Sequence, residues 1–456
     1  MSNQVRFITL GCKVNQYETQ AMRESLERIG ISPHPNPLPL EGGEGRVREG
    51  KQEDLCEFVI INTCTVTKAA DRENIYWIRR ARRDHPGAKI IVTGCFVERN
   101  RSELEGLPEV DLILSNHEKS DIADRILAGC GSPEAQDENA SRKRRHQYAP
   151  LSISHTTGNG RAFVKIQDGC NHACTFCKVV MVRGRSRSRP ILEIVEEVKR
   201  LRDAGYKEVV FAGIQLGAWG ADFPEKPDLV DVLEACEKIE GIERMRLSSI
   251  EPTDIKPHLI EALRAIPKVC PHLHIPLQSG DDTILERMNR RYRRSFYMDL
   301  IERLKSEMPQ FSLTLDVMAG FPGEEEVHFQ NTADLLRSVK PLKCHVFPYS
   351  RREGTLAARF SDVAPAVIRD RVNRLIALGN QLGREVRLPY VGMTLPVLVE
   401  QETGQGSLLE GLTSNYLKVC FQGSREMIGQ MVRVKLFALE GDMFLGGQNG
   451  LDITMV

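Results

Sequence analysis

The chain has 456 residues and a mass of 51.4 kDa, with 41% hydrophobic and 27% charged residues; at ~150 residues per domain it holds about three domains. A small disulfide-stapled scaffold and a globally disordered chain are excluded. Lys plus Arg and Asp plus Glu number 62 each, so no net field attracts a polyanion and any nucleic-acid site has to arise by local clustering. No run of ~18 apolar residues occurs, and the N-terminus enters the strand-like Val5 to Leu10 without a signal-peptide pattern. A cytoplasmic protein with no membrane contact is expected. In a reducing compartment the 12 cysteines have no use as disulfides, which makes metal ligation or redox chemistry the first expectation.

Val5 to Leu10, Phe58 to Ile61, Lys89 to Val92 and Asp111 to Leu114 read as buried strands. Gln16 to Ile31, Thr67 to Arg83 and Ser120 to Leu127 read as amphipathic helices between them. This alternation predicts an α/β N-terminal domain over 1–129 built on a doubly wound parallel sheet. Four Pro and four Gly between Ile31 and Gly50 cannot build a core and mark an inserted surface loop at 31–50. The polar stretch 130–157, with Arg142 to Arg145, reads as a linker.

From Arg161 the alternation resumes. Strands are expected at Ala162 to Ile166, Glu208 to Ala212, Met245 to Ser248, Leu273 to Leu277, Leu313 to Met318 and His345 to Tyr349, with helices between them. Six such units over 158–388 fit an open, partial (β/α)6 barrel with its active site at the strand C-terminal ends, a doubly wound sheet being the rival. After a helix at Val367 to Leu388, strands at Thr394 to Glu400, Tyr416 to Phe421 and Met431 to Phe437 predict a small all-β barrel over 389–456.

Cys170, Cys174 and Cys177 follow the first barrel strand. Three thiolates within eight residues can hold three irons of a cubane cluster and leave the fourth iron open. Zinc is the rival, with His172 closing its tetrahedron. A second set comes from the fold alone. Cys12, Cys64 and Cys95 each end a predicted parallel strand, and in an open α/β sheet those ends line one ligand-binding crevice. A lone cysteine there is ordinarily a small buried hydrophobe, whereas three along one edge read as ligands of a second cluster. Cys56, Cys130, Cys236, Cys270, Cys344 and Cys420 lack partners at ligand spacing and read as core or incidental positions.

The triad, with Phe176 before its last Cys, resembles the signature of radical S-adenosylmethionine (SAM) enzymes. The whole chain resembles the methylthiotransferases. The motifs that carry this are Leu10 to Thr19, Asn62 to Thr67, Gly94-Cys95, Gly169 to Cys177, Arg183 to Ser188, Leu247 to Pro252, His272 to Gly280, Gly320 to Glu324 and Val346 to Thr355. Gly411 to Tyr416 resembles the opening of the RNA-gripping TRAM module. Lys178 to Val182 and Gln215 depart from the family pattern at the edge of the SAM pocket, and from Val391 on the β module has seven acidic against four basic residues.

The resemblance implies two 4Fe-4S clusters and SAM as cofactors, with Cys170, Cys174, Cys177, Cys12, Cys64 and Cys95 as metal ligands and catalytic residues. The first cluster, reduced by a donor such as flavodoxin or ferredoxin, would cleave SAM to a 5'-deoxyadenosyl radical that attacks C2 of an adenine. The second would carry the methylated sulfur. Phe176, Ser249, Glu251, Gln278 and Ser279 are candidate SAM contacts. The wording of Lys13 to Gln16 and Thr65 to Thr67 is similar to the branch acting on N6-threonylcarbamoyladenosine next to the tRNA anticodon. Isopentenyladenosine in tRNA and a ribosomal protein are the alternative substrates, and a zinc-stabilised RNA-binding protein without catalysis is the alternative function. For a monomer binding the tRNA anticodon loop, Arg183, Arg185, Arg187 and Arg189 are the candidate RNA contacts, with Arg79 to Arg83, Arg142 to Arg145 and Arg290 to Arg294 as further clusters.

Overall fold

A computed structural model describes residues 4–33, 56–129, 148–156, 160–403 and 407–448. From position 34 the expected insertion, and with it positions 130–147 of the linker including Arg142 to Arg145, lie outside the described residues. The chain forms two compact units. The first takes the described residues up to Ser154 together with Asp168–His172 and Cys177–Arg187; the second takes His155–Gln167, Ala173–Phe176 and the chain from Ser188 on. A boundary near 158 is therefore too simple, because two pieces of the cysteine loop belong to the first unit.

In the first unit the order is β1 (Gln4–Thr9), α1 (Lys13–Glu27), β2 (Ser32–Pro33), β3 (Phe58–Thr63), α2 (Lys68–Asp84), β4 (Lys89–Gly94), α3 (Val97–Glu105), β5 (Leu112–Ile113) and α4 (Ile122–Leu127). The strands are parallel in the order β2-β1-β3-β4-β5. The central strand β3 is buried at every position, as a strand covered on both faces must be. On one face Val59, Ile61, Ile90 and Val92 pack with Ile78 and Ala81 of α2 and with Val97 and Leu104 of α3. On the other, Phe58, Ile60 and Ile91 pack with Met22 and Leu26 of α1 and with Ile122 and Ile126 of α4. The doubly wound expectation holds. The strand order reverses between β1 and β3, and at such a switch point the loops leaving neighbouring strands part to open a crevice. Helix α3 was not expected from the sequence, because only Val97 and Leu104 of its nine residues are buried and the apolar period is too sparse to register.

The short strands β7 (Gln167–Asp168) and β8 (Arg187–Ser188) flank, in sequence, the cysteine loop and helix α5 (Val179–Arg183). The second unit opens with β6 (Arg161–Lys165) and continues with β9 (Glu208–Ala212), β10 (Arg244–Leu247), β11 (His272–His274), β12 (Ser312–Ala319) and β13 (Lys343–Pro348). Helices α6 (Ile191–Asp203), α7 (Leu229–Glu237), α8 (Pro257–Ala265), α9 (Asp282–Arg287), α10 (Arg294–Glu307) and α11 (Glu326–Val339) intervene. The strands β6, β9 and β10 form one parallel sheet and β11, β12 and β13 another, with a bridge between Ser249 and His274 linking them. Sequential neighbours without reversal are what a partial barrel requires, and the rival doubly wound arrangement of this region is set aside.

Helix α12 (Pro365–Arg387) leads into a closed barrel of β14 (Thr394–Glu402), β15 (Leu408–Thr413), β16 (Lys418–Gln422), β17 (Met431–Glu440) and β18 (Met443–Gly447). The sequence reading found three of these five strands. It missed β15 and β18, whose glycines read as turns; Gly411 and Gly446 are there because a Cβ would meet the Leu398 carbonyl oxygen at 2.3 Å and Val434 at 2.5 Å. Tyr416, in the segment resembling the TRAM opening, stacks on His272 with ring centroids 4.2 Å apart. That ring is used inside the second unit, where Arg246 also donates to the Thr413 and Ser414 carbonyls at 3.2 and 2.9 Å. Among the described residues no helix is long and apolar enough to cross a membrane.

Candidate active site

Cys12, Cys64 and Cys95 stand at the carboxyl ends of β1, β3 and β4, the first two on either side of the switch point. Cys12 is exposed; Cys64 and Cys95 are buried. Burial, and then the neighbouring Cys95 and Cys12, push the Cys64 thiol up to about 12. Burial likewise raises Cys95, against the pull of Arg183 and Lys119. The sulfurs thus lie within electrostatic reach of one another, and at the buried Cys64 and Cys95 a proton stays on unless a metal replaces it. Among the described residues no three His, Cys, Asp or Glu side chains are drawn together around the position of a single metal ion.

The strand ends are fixed by glycines and asparagines. Gly11 has φ +98° and a Cβ there would lie 2.8 Å from Cys64 Sγ; at Gly94, φ +103°, it would lie 2.4 Å from the Thr63 carbonyl oxygen. Asn15 donates to the carbonyls of Leu10 and Thr63 at 2.7 and 3.0 Å, bridging β1 to β3. Asn74 accepts from the Cys64 N–H at 3.2 Å and donates to its carbonyl at 2.6 Å.

Arg183 closes the arrangement. Its Nε donates to Cys95 Sγ at 3.2 Å, Nη1 to Glu18 at 2.8 Å and Asp168 at 3.1 Å, and Nη2 to Asn15 at 2.6 Å. Lys119, fully buried, pairs with the same Glu18. Burial works against the Arg183 charge, but Cys95, Glu18 and Asp168 outweigh it and hold its affinity for the proton well above the ordinary arginine value. The expectation that Arg183 contacts RNA is corrected: its side chain is 2% exposed. Arg189 is corrected too, its side chain being buried against Glu197 at 3.0 Å and Glu193 at 3.4 Å. Arg187 is half-buried and donates to the Arg183 carbonyl at 2.8 Å. Of the four, Arg185 is exposed.

In the cysteine loop, Gly169 has φ +73° and a Cβ there would stand 2.0 Å from the Arg185 carbonyl oxygen, so glycine is required. The Cys170 N–H donates to the Gly184 carbonyl at 3.1 Å. Cys170 Sγ accepts the His172 N–H at 3.3 Å and Cys177 Sγ the Val179 N–H at 3.4 Å, contacts that favour a sulfur carrying negative charge. Within the second unit, Cys174 Sγ accepts from Arg290 Nη1 at 3.5 Å.

The candidate SAM residues divide. Phe176, half-buried, packs edge-on against Phe321, centroids 6.3 Å apart, beside Ile284 and Met318. Glu251 is held through both carboxylate oxygens by Arg290, a partner that sequence reasoning had assigned to an RNA-binding cluster. Ser249 bridges to His274 by its backbone. Ser279 accepts the Asp281 N–H at 3.3 Å and faces Thr332 at 3.4 Å, so its hydroxyl is used in the turn. Gln278 differs from all of these. It has φ +62°, and its Oε1 is buried with no hydrogen-bond partner among the described residues. A buried amide oxygen without a donor is costly and is the feature here that fits a cofactor carrying an ammonium or hydroxyl group.

A partial barrel with a CxxxCxxC loop after its first strand defines a radical SAM enzyme. Sequence comparison agrees: residues 164–336 match the Radical SAM superfamily and residues 43–115 match the family described as Uncharacterized protein family UPF0004. The fold resembles that of the radical S-adenosylmethionine methyltransferase TsrM from Kitasatospora setae, with a TM-score of 0.57 at 15% identity over 78% of this chain and 77% of that one. Superfamily membership implies a 4Fe-4S cluster and SAM.

The chain belongs to the radical SAM methylthiotransferase family. It is 37% identical over 436 residues, 95% of this chain and 93% of the relative, to the threonylcarbamoyladenosine tRNA methylthiotransferase MtaB of Bacillus subtilis. It is 35% identical to the MtaB of Thermotoga maritima, covering 96% and 95% of the two chains. The tRNA-2-methylthio-N(6)-dimethylallyladenosine synthase of Carboxydothermus hydrogenoformans is 32% identical, covering 95% and 98%.

Proposed function

We propose that the protein methylthiolates C2 of N6-threonylcarbamoyladenosine next to the anticodon of tRNA, forming 2-methylthio-N6-threonylcarbamoyladenosine. The relatives named MtaB support this substrate over dimethylallyladenosine. The observation that supports the sulfur-transfer half of the reading is that Cys12, Cys64 and Cys95 follow the carboxyl ends of three neighbouring parallel strands of one sheet.

In this reading Cys170, Cys174 and Cys177 hold one 4Fe-4S cluster and Cys12, Cys64 and Cys95 a second, each leaving one iron without a protein ligand. When bound, the two clusters and SAM supply radical activation of the carbon and the methylated sulfur it receives. The chain's own residues bind and orient. Gln278 Oε1, buried without a hydrogen-bond partner among the described residues, would accept a hydrogen bond from SAM. Arg290 holds Glu251 through both carboxylate oxygens and also donates to Cys174 Sγ. Arg183 stabilises the Cys95 thiolate and locks α1 to the cysteine loop through Glu18, Asn15 and Asp168. The adenine C2–H is not acidic enough for a side-chain base, so the protein's contribution is positioning and exclusion of water. A one-electron donor of the flavodoxin or ferredoxin kind completes the reaction.

Mass spectrometry of tRNA nucleosides tests the assignment in a strain lacking the gene and complemented with it. The 2-methylthio group should vanish from threonylcarbamoyladenosine, return with the wild-type gene, and stay absent with Cys64→Ala. Loss from isopentenyladenosine, or from a ribosomal protein with tRNA unchanged, would reject it.

A further inference from the structure

Helix α2 lines a cavity of about 600 Å³ on the first unit with Arg72, Tyr76, Arg79, Arg80 and Arg83. Phe96, which follows Cys95, lines it too. Asn74, Ile78 and Ala81 turn the opposite face of the helix into the core. At 1.5 Å per residue Arg72 and Arg83 stand about 16 Å apart along the axis. The groove is open to solvent: the side chains of Arg79 and Arg83 are 64% and 71% exposed, and Tyr76 is 52% exposed.

The cavity lining itself holds four arginines against two carboxylates, Asp71 and Glu103. Arg79 has its ion pair with Glu109 at 3.9 Å, and Arg80 and Arg83 share Asp84. The two acidic residues of the lining accept hydrogen bonds from neutral side chains, Asp71 from Thr65 at 2.7 Å and Glu103 from Asn100, also in the lining, at 2.9 Å. In a chain of zero formal charge, such a cluster is where a polyanion would be held. Phe96 of the lining directly follows Cys95 in the chain.

We infer that this groove binds RNA, its guanidinium groups on successive phosphates and a base stacked on Tyr76. The inference rests on the reading that the substrate is an RNA, and adds where the RNA strand is gripped on the N-terminal unit. A concave site with an exposed ring between arginines suits a nucleotide, whose phosphate and π-face both find partners there. An acidic protein surface would have no use for the ring.

The test measures binding of a fluorescently labelled tRNA to the full-length holoprotein by anisotropy across a salt series. Arg79→Gln with Arg83→Gln should weaken binding at least several-fold and flatten the log–log salt dependence by about two charges. Tyr76→Ala should weaken it by roughly tenfold with the salt slope unchanged. These side chains are exposed, and thermal melts should match wild type. If both variants bind like wild type, the groove is not the RNA site and the inference fails while the function stands. If the wild type binds no tRNA, the functional reading falls with it. Competition by poly-L-glutamate equal to that by RNA of the same charge, with Tyr76→Ala neutral, would assign the groove to an acidic protein and overturn the inference.

Discussion

Arg183 Nε lies 3.2 Å from Cys95 Sγ, so the guanidinium that follows the radical SAM cysteine loop in sequence is the hydrogen-bond donor to a thiol of the other cysteine set. The same group neutralises Glu18 and Asp168 in a buried site. Arg183→Met leaves two buried carboxylates with less charge compensation, a change that costs ~3–5 kcal/mol. Denaturant unfolding of the iron-free chain should show a loss of this size. Arg183→Lys, which keeps the charge but not the fork of donors, should lose less. Equal stability of Arg183→Met and wild type would contradict the network.

Gly11→Ala should reduce iron bound by the Cys12, Cys64 and Cys95 set without unfolding the second unit. The added methyl group would need the space of Cys64 Sγ, 2.8 Å away, in a backbone conformation at φ +98° that costs an L residue roughly 1–2 kcal/mol. Iron analysis after anaerobic reconstitution checks this, with Gly87→Ala, where a Cβ meets nothing within 4 Å, as the control.

Gln278 and Ser279 are adjacent and predict opposite outcomes. Gln278→Ala removes an oxygen that has no donor among the described residues, so stability should hold while SAM affinity falls about tenfold or more, the value of a hydrogen bond to a charged group. Ser279→Ala removes the acceptor of the Asp281 N–H, so stability should fall and SAM affinity hold. Equilibrium dialysis and thermal melts separate the two.

Glu208 carries a pH dependence. Burial favours its neutral form, but Arg246, at 2.7 Å, with Arg161 and Arg244, overcomes this and depresses its proton affinity below the ordinary value of 4.5. A carboxylate depressed in the folded state adds stability that is complete above the unfolded value and is lost as pH falls through the folded one. Melts of wild type should therefore decline below pH 4.5. Glu208→Gln should start lower by ~3–5 kcal/mol, since Arg246 is left buried and unpaired, and lose less on acidification.

The position of the second thiol set was legible because it follows from topology: strands that run parallel in one sheet end at one edge, wherever their cysteines fall in the chain. The inward turn of Arg183 and Arg189 was not. A run of alternating arginines looks like a solvated face; what overrides that at Arg189 is Glu193 and Glu197, four and eight positions on, and at Arg183 a carboxylate 165 positions away, Glu18. No local period records the pairing of Arg183. Glu251 was marked for SAM from its motif, yet only the folded chain brings Arg290, 39 positions away, onto it. The glycine-bearing strands β15 and β18 were missed for the opposite reason: a residue chosen for close backbone approach reads, in isolation, as a turn.

Iron and acid-labile sulfide, counted per chain after anaerobic reconstitution, test the central claim that two separate cysteine sets each hold a cluster. The wild type should bind about eight irons. Replacing Cys12, Cys64 and Cys95 by Ala should leave about four, and replacing Cys170, Cys174 and Cys177 should leave the other four. Full iron content in the Cys12, Cys64 and Cys95 variant, or about four irons in the wild type, would contradict it.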